Sequence, residues 1–79
     1  MKKNITLDEI EDFVVSTFST KDDILLNDIF NEVWEFYLAR EYPEEVQSNI
    51  IARTKLVVES LIVEKKVKEK LNGKYKFLV

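Results

Sequence analysis

The sequence predicts a small, mainly helical domain that closes in a β-hairpin. Three observations predict it. Thr6 and Glu9 stand at capping-box spacing ahead of an apolar helical stripe. Pro43 opens a long amphipathic run that continues to about Glu64. Asn72-Gly73 then separates two short segments, the pattern of a hairpin turn. The expected order is helix, short strand, helix, turn, helix and two strands, in one domain over residues 1–79.

A chain of 79 residues buries only roughly 60–65% of its extended surface, enough for one small core. Cysteine and histidine are both absent, so disulfides and ordinary zinc sites are excluded. Apolar packing must hold the core, and a partner subunit is one way to extend it. The 46% hydrophobic content, with five Phe, three Tyr and one Trp, separates the chain from disordered sequences. No apolar run reaches the length of a membrane span. Met1-Lys2-Lys3 starts like a signal peptide, but acids from Asp8 to Asp12 follow where an apolar stretch is required. The lack of cysteine fits a cytoplasmic location.

The net charge of −3 conceals an asymmetry. Residues 1–47 carry four Lys/Arg against twelve Asp/Glu, a balance of −8. Residues 48–79 carry eight Lys/Arg against three Glu, a balance of +5. Such a split suggests one face that attracts anions and one that repels them. A solvated surface with its charges at opposite ends of the chain is the plainer account.

The first helix follows from its cap. Ile5 and Ile10 occupy the two positions of a hydrophobic staple around Thr6. Ile10, Phe13, Val14 and Phe18 then share one helical face. Asp8, Glu9, Glu11 and Asp12 suit the positive helix end, which explains them better than metal binding or acid catalysis.

Ser19 to Asp23 is a polar break with two continuations. Either Ile24-Leu25-Leu26 is a strand and Asn27 caps a helix to about Arg40, or Thr20 caps one longer helix. The first is preferred, because a C-terminal hairpin needs a third strand or a helix against it. In the second helix Ile29, Val33 and Phe36 form one face, and Phe30, Trp34 and Tyr37 an adjacent one. That is wider than one core stripe requires. The aromatic edge either covers the core or, through Trp34 and Tyr37, anchors a partner.

Pro43 restricts Tyr42 to extended backbone and suits the first helical position, followed by Glu44 and Glu45. The third helix is expected to bury Val46, Ile50, Val57, Val58 and Leu61, flanked by Thr54 and Ile62. Glu45, Ser48, Asn49, Ala52, Lys55, Leu56 and Glu59 fall on its opposite side, with Arg53 at the boundary. The outward apolar residues Ala52, Leu56 and Val63 suggest a dimer seam or a contact with the N-terminal segment.

A two-residue type I′ turn at Asn72-Gly73 pairs Lys70 with Tyr75 and Lys68 with Phe77, and Glu69 with Lys76 and Val67 with Leu78. Tyr75, Phe77 and Val79 are then expected to turn to the core. Lys65, Lys66, Lys68, Lys70, Lys74 and Lys76 make this region strongly basic. Lysines on a strand edge also discourage aggregation.

The order of elements, with Val57-Val58-Glu59-Ser60-Leu61-Ile62-Val63-Glu64-Lys65-Lys66-Val67 leading to Asn72-Gly73 and Tyr75-Lys76-Phe77, resembles the winged helix-turn-helix superfamily. The resemblance spans nearly the whole chain at the level of fold. It implies that the third helix enters a DNA major groove and the hairpin touches the backbone. By position, Ser48, Asn49, Ala52, Arg53 and Lys55 would face the groove, and Lys68, Lys70, Lys74 and Lys76 would contact phosphates. Glu41, Glu44 and Glu45 depart from that pattern, because acids at a helix start oppose phosphate.

Catalysis is not expected: there is no His, no Cys and no glycine-rich loop, and no cofactor is implied. The first expectation is a DNA-binding transcriptional regulator acting on double-stranded DNA as a homodimer. The alternative is a protein-interaction module, such as a viral or mobile-element inhibitor of a host protein. It would use the acidic N-terminal half, the Trp34/Tyr37 edge and Leu56.

Overall fold

A computed structural model describes residues 5–40 and 47–79. Its elements run α1 (Leu7–Phe18), β1 (Ile24–Leu25), α2 (Leu26–Ala39), α3 (Gln47–Val63), β2 (Val67–Glu69) and β3 (Lys74–Phe77). The strands form one antiparallel sheet in the order β1-β3-β2. Three helices with a three-stranded sheet in this order give the layout expected of a winged helix. The proposed helix start at Pro43, the acids Glu44 and Glu45, and Val46 lie outside the described residues.

The cap of α1 forms as its sequence requires. The Glu9 N–H donates to Thr6 Oγ1 at 3.1 Å, and the Thr6 N–H donates to Glu9 Oε1 at 3.4 Å. Ile5 and Ile10 are both buried, closing the staple. Phe18 ends the buried stripe of α1 and meets the Phe77 ring at 5.6 Å between centroids.

The start of α2 differs from expectation. The strand stops at Leu25, and Asn27 lies inside the helix instead of capping it. Leu25 has no side-chain acceptor; instead the Asp28 carboxylate accepts the Leu25 N–H at 3.4 Å. Pairing of Ile24 with Tyr75 and Leu25 with Lys74 already holds the chain extended there. One long helix from Thr20 is excluded, since Thr20 has φ 57°. The buried stripe of α2 is Ile29, Val33 and Tyr37, four residues apart. Phe36, expected in that stripe, is half-buried and stacks on Phe13 at 4.3 Å, with the Arg40 guanidinium 4.7 Å above its ring.

Helix α3 packs against both α1 and α2 and buries Ile50, Thr54, Val57, Val58 and Leu61. The Thr54 hydroxyl donates to the Ile50 carbonyl at 2.8 Å, so its burial leaves nothing unsatisfied. The helix ends in a Schellman motif. The Lys66 N–H donates to the Leu61 carbonyl at 2.9 Å and the Lys65 N–H to that of Ile62 at 3.0 Å. Lys65 takes the left-handed position, φ 62°, that glycine usually fills.

The hairpin corrects the expected register by one residue. Val67 pairs with Phe77, Lys68 with Lys76 and Glu69 with Tyr75. A type I′ turn needs positive φ at both Asn72 and Gly73, and of the two only Gly73 has it, at +76°. The Gly73 N–H donates to the Lys70 carbonyl at 3.1 Å, and the Lys70 N–H to that of Lys74 at 2.8 Å. Leu71-Asn72-Gly73 is thus a three-residue loop, a type I turn followed by a glycine bulge. Burial decides between the registers. This one sets Val67 and Phe77 on the same inward face, whereas the expected one would turn Lys68 inward with Phe77. Val79, expected in the core, remains 42% exposed.

Candidate nucleic-acid interface

The residues assigned to DNA fall on two surfaces. On α3, Ser48, Asn49, Ala52 and Lys55 are exposed and Arg53 is half-buried. Leu56, assigned to a partner, is 54% exposed on this same face. A protein that docks on Leu56 therefore covers residues that would read DNA. Of the other two partner candidates, Trp34 is half-buried and stacks on Tyr37 at 5.3 Å. Tyr37 is a core residue rather than an exposed anchor.

The second surface is the outer face of the sheet. Strand alternation directs Val67 and Phe77 inward, which turns Lys68 and Lys76 outward and directly opposite one another. Neither has a carboxylate within ion-pair distance among the described residues. Like charges directly opposed across two strands are destabilising, although β2 is an edge strand, where exposed lysines also discourage aggregation. Lys74 lies half-exposed at the start of β3.

Lys70 behaves differently from the other lysines. Its Nζ lies 2.7 Å from Asp22 Oδ1 and 2.9 Å from Asp23 Oδ1. The hydrogen bonds it donates to these carboxylates hold the Lys70 ammonium above the usual lysine range. Asp22 is held below the usual carboxylate range, first by Lys70 and then by the Asp23 N–H that its Oδ1 accepts at 2.7 Å. Lys70 is thus not a free phosphate contact. The sequence offered no local sign of this, since 47 positions separate Asp23 from Lys70. Lys66 is also paired, with Glu64 Oε2 at 3.1 Å.

Between α3 and the sheet runs a shallow cleft lined by Lys55, Glu59, Ile62, Glu69 and Tyr75. Burial pushes the Tyr75 phenol up, and the carboxylates of Glu69, to which it is hydrogen-bonded, and of Glu59 add to the effect. Lys55 is the α3 candidate that meets the sheet here, and it does so beside two acids.

Among the described residues no group of acids is placed to hold a metal ion, and no helix is long and apolar enough to cross a membrane. Comparison with protein-family models, with curated proteins and with solved structures gave no match.

Proposed function

We propose that this chain is a winged-helix DNA-binding protein, a transcriptional regulator that holds duplex phosphates on the outer face of its sheet. Helix α3 lies toward the major groove. The observation that carries this reading is the opposed pair Lys68 and Lys76, two outward ammonium groups with no ion-paired carboxylate among the described residues. A phosphate between them relieves the repulsion that the fold otherwise tolerates. On α3, Asn49 and Lys55 have the donors that base edges accept. A second copy of the chain would bind the other half-site of a regulatory operator.

The test is the anisotropy of a labelled random duplex titrated with protein at low and near-physiological salt. Binding should weaken steeply with salt. Lys68→Glu and Lys76→Glu should each lower affinity for all sequences alike and make the salt slope shallower by about 0.9 per lost contact. Asn49→Ala should instead change preference among sequences. No binding at low salt would overturn the reading.

The Glu59–Glu69 cleft and exposed Leu56 favour a second reading, a protein-interaction module, because acids there repel phosphate while Leu56 offers apolar area. The acidic N-terminal half and the Trp34 edge would extend that surface. Failure of duplex binding, with loss of a bound protein on Leu56→Lys, would support it.

A further inference from the structure

We propose that Asp22 and Asp23 act as an internal stand-in for a phosphate diester, occupying Lys70 in the free protein and yielding it when nucleic acid reaches the sheet. The inference rests on the DNA-binding reading and adds a device that sets its affinity.

The geometry supports such an exchange. Two carboxylate oxygens contact one ammonium at 2.7 and 2.9 Å, the charge-assisted contacts that phosphate oxygens would make. The acids are fixed by backbone rather than by the lysine. The Phe77 N–H donates to the Lys21 carbonyl at 2.9 Å, and the Thr20 N–H to that of Val79 at 3.0 Å. These bonds tie the 20–23 loop to the end of β3. Asp23 adopts φ 55°, a left-handed conformation that Asp tolerates better than most residues. Lys70 is the mobile member, a flexible stem ending in a charge that is still partly exposed. It immediately follows β2, where its N–H still donates to the Lys74 carbonyl at 2.8 Å, so the alternation continues and Lys70 shares the outer face with Lys68. Asp22 also feels the charge of Lys76, so it draws on the outward lysine pair as well. A phosphate arriving at that pair competes with Asp22 for both cations, and a lysine leaving the acids gains a partner of the same chemistry.

The experiment compares four full-length proteins on the random duplex across a salt series. They are the wild type, Asp22→Asn/Asp23→Asn, the same double variant with Lys70→Met, and Asp12→Asn/Glu35→Gln. The last removes two exposed acids elsewhere and controls for net charge. Asparagine preserves both the left-handed backbone and the amide contact, so the double variant should fold. The expected result is a severalfold gain in affinity for Asp22→Asn/Asp23→Asn over the charge control. Its salt slope should be steeper by about 0.9, one additional phosphate contact. Lys70→Met should cancel the gain. Wild-type binding with no gain in the double variant, or an equal gain in the charge control, would overturn the exchange and leave the DNA reading standing. Absence of binding by all four proteins would overturn both.

Discussion

The helical half of the molecule and its sheet are ordered by different forces. In α1, α2 and α3 each buried stripe meets another, so position along the helix and identity in the core are coupled. Ile10, Ile29, Val33 and Leu61 have no measurable exposure, at 0% each. The sheet has one buried face only. Ile24, Val67 and Phe77 fasten it to the helices, while its outer face carries Lys68 and Lys76 in mutual opposition. Packing fixes the first region, leaving few alternatives. Turn chemistry and three apolar anchors fix the second, where a one-residue slip changes every side chain's face. The charges differ too: Glu9 and Asp28 serve the starts of α1 and α2, while Lys68, Lys74 and Lys76 lie on the strands.

Removal of an anchor should break this contrast with the largest effect. Phe77→Ala takes away a fully buried ring that contacts Phe18 and holds β3, the central strand, against the helices. A loss of about 3–5 kcal/mol is expected, a large part of the stability of a small domain. Urea denaturation followed by far-UV circular dichroism measures it. A helix signal that survives while the sheet's amides lose protection from hydrogen exchange would show that the two regions unfold separately. A single coincident transition would show that Phe77 couples them.

A smaller effect sharpens the hairpin's side of the comparison. Gly73 has open space where a Cβ would point, so Gly73→Ala meets only the backbone cost of φ +76°. About 1–2 kcal/mol is expected. Gly73→Asn should cost less, since Asn tolerates the left-handed region. Cross-strand nuclear Overhauser contacts from Lys68 to Lys76 in both variants would confirm the three-residue loop. Contacts from Lys68 to Phe77 would contradict it.

The same contrast explains what the sequence made legible. The Thr6–Glu9 cap, the Ile5–Ile10 staple and the buried stripe of α3 are local patterns whose partners lie within about a turn or two. Reading them needed no knowledge of the remaining chain. The hairpin was visible through Asn72-Gly73, but the dipeptide suits more than one loop length, and only the burial of Val67 opposite Phe77 selects the register. Tyr37, read on the face beside the core stripe and offered there as either core cover or partner anchor, takes the buried position expected of Phe36, one step away on an aromatic helix. The Phe13–Phe36 stack, which draws Phe36 aside, is a tertiary fact. The end of α3 near Glu64 was legible, but the Schellman motif at Lys65 was not, since that position is marked in sequence chiefly by glycine. For the candidate site, the lysines were visible as a basic run. Lys70's capture by Asp22 and Asp23 was not, because it depends on β1 lying beside β3.

The smallest expected effect concerns that capture, and it separates an ion pair from mere proximity by its pH dependence. Asp22 has a folded-state pKa below its ordinary 3.8. Its contribution to stability is therefore present above that value and disappears as pH falls through the lower folded value. Lys70 has the opposite sign: its folded value lies above 10.5, so its contribution holds below that pH and is lost only as pH rises through the raised value. Across the neutral range both groups are charged and the pair persists. Asp22→Asn should be slightly less stable than wild type at neutral pH, by an amount that salt diminishes because the groups are exposed. The two denaturation midpoints should converge as pH falls below 3.8. A difference that stayed constant with pH would show that it does not arise from the charge of Asp22. Convergence would show that the stabilisation depends on the ionised Asp22 carboxylate, the form that pairs with Lys70.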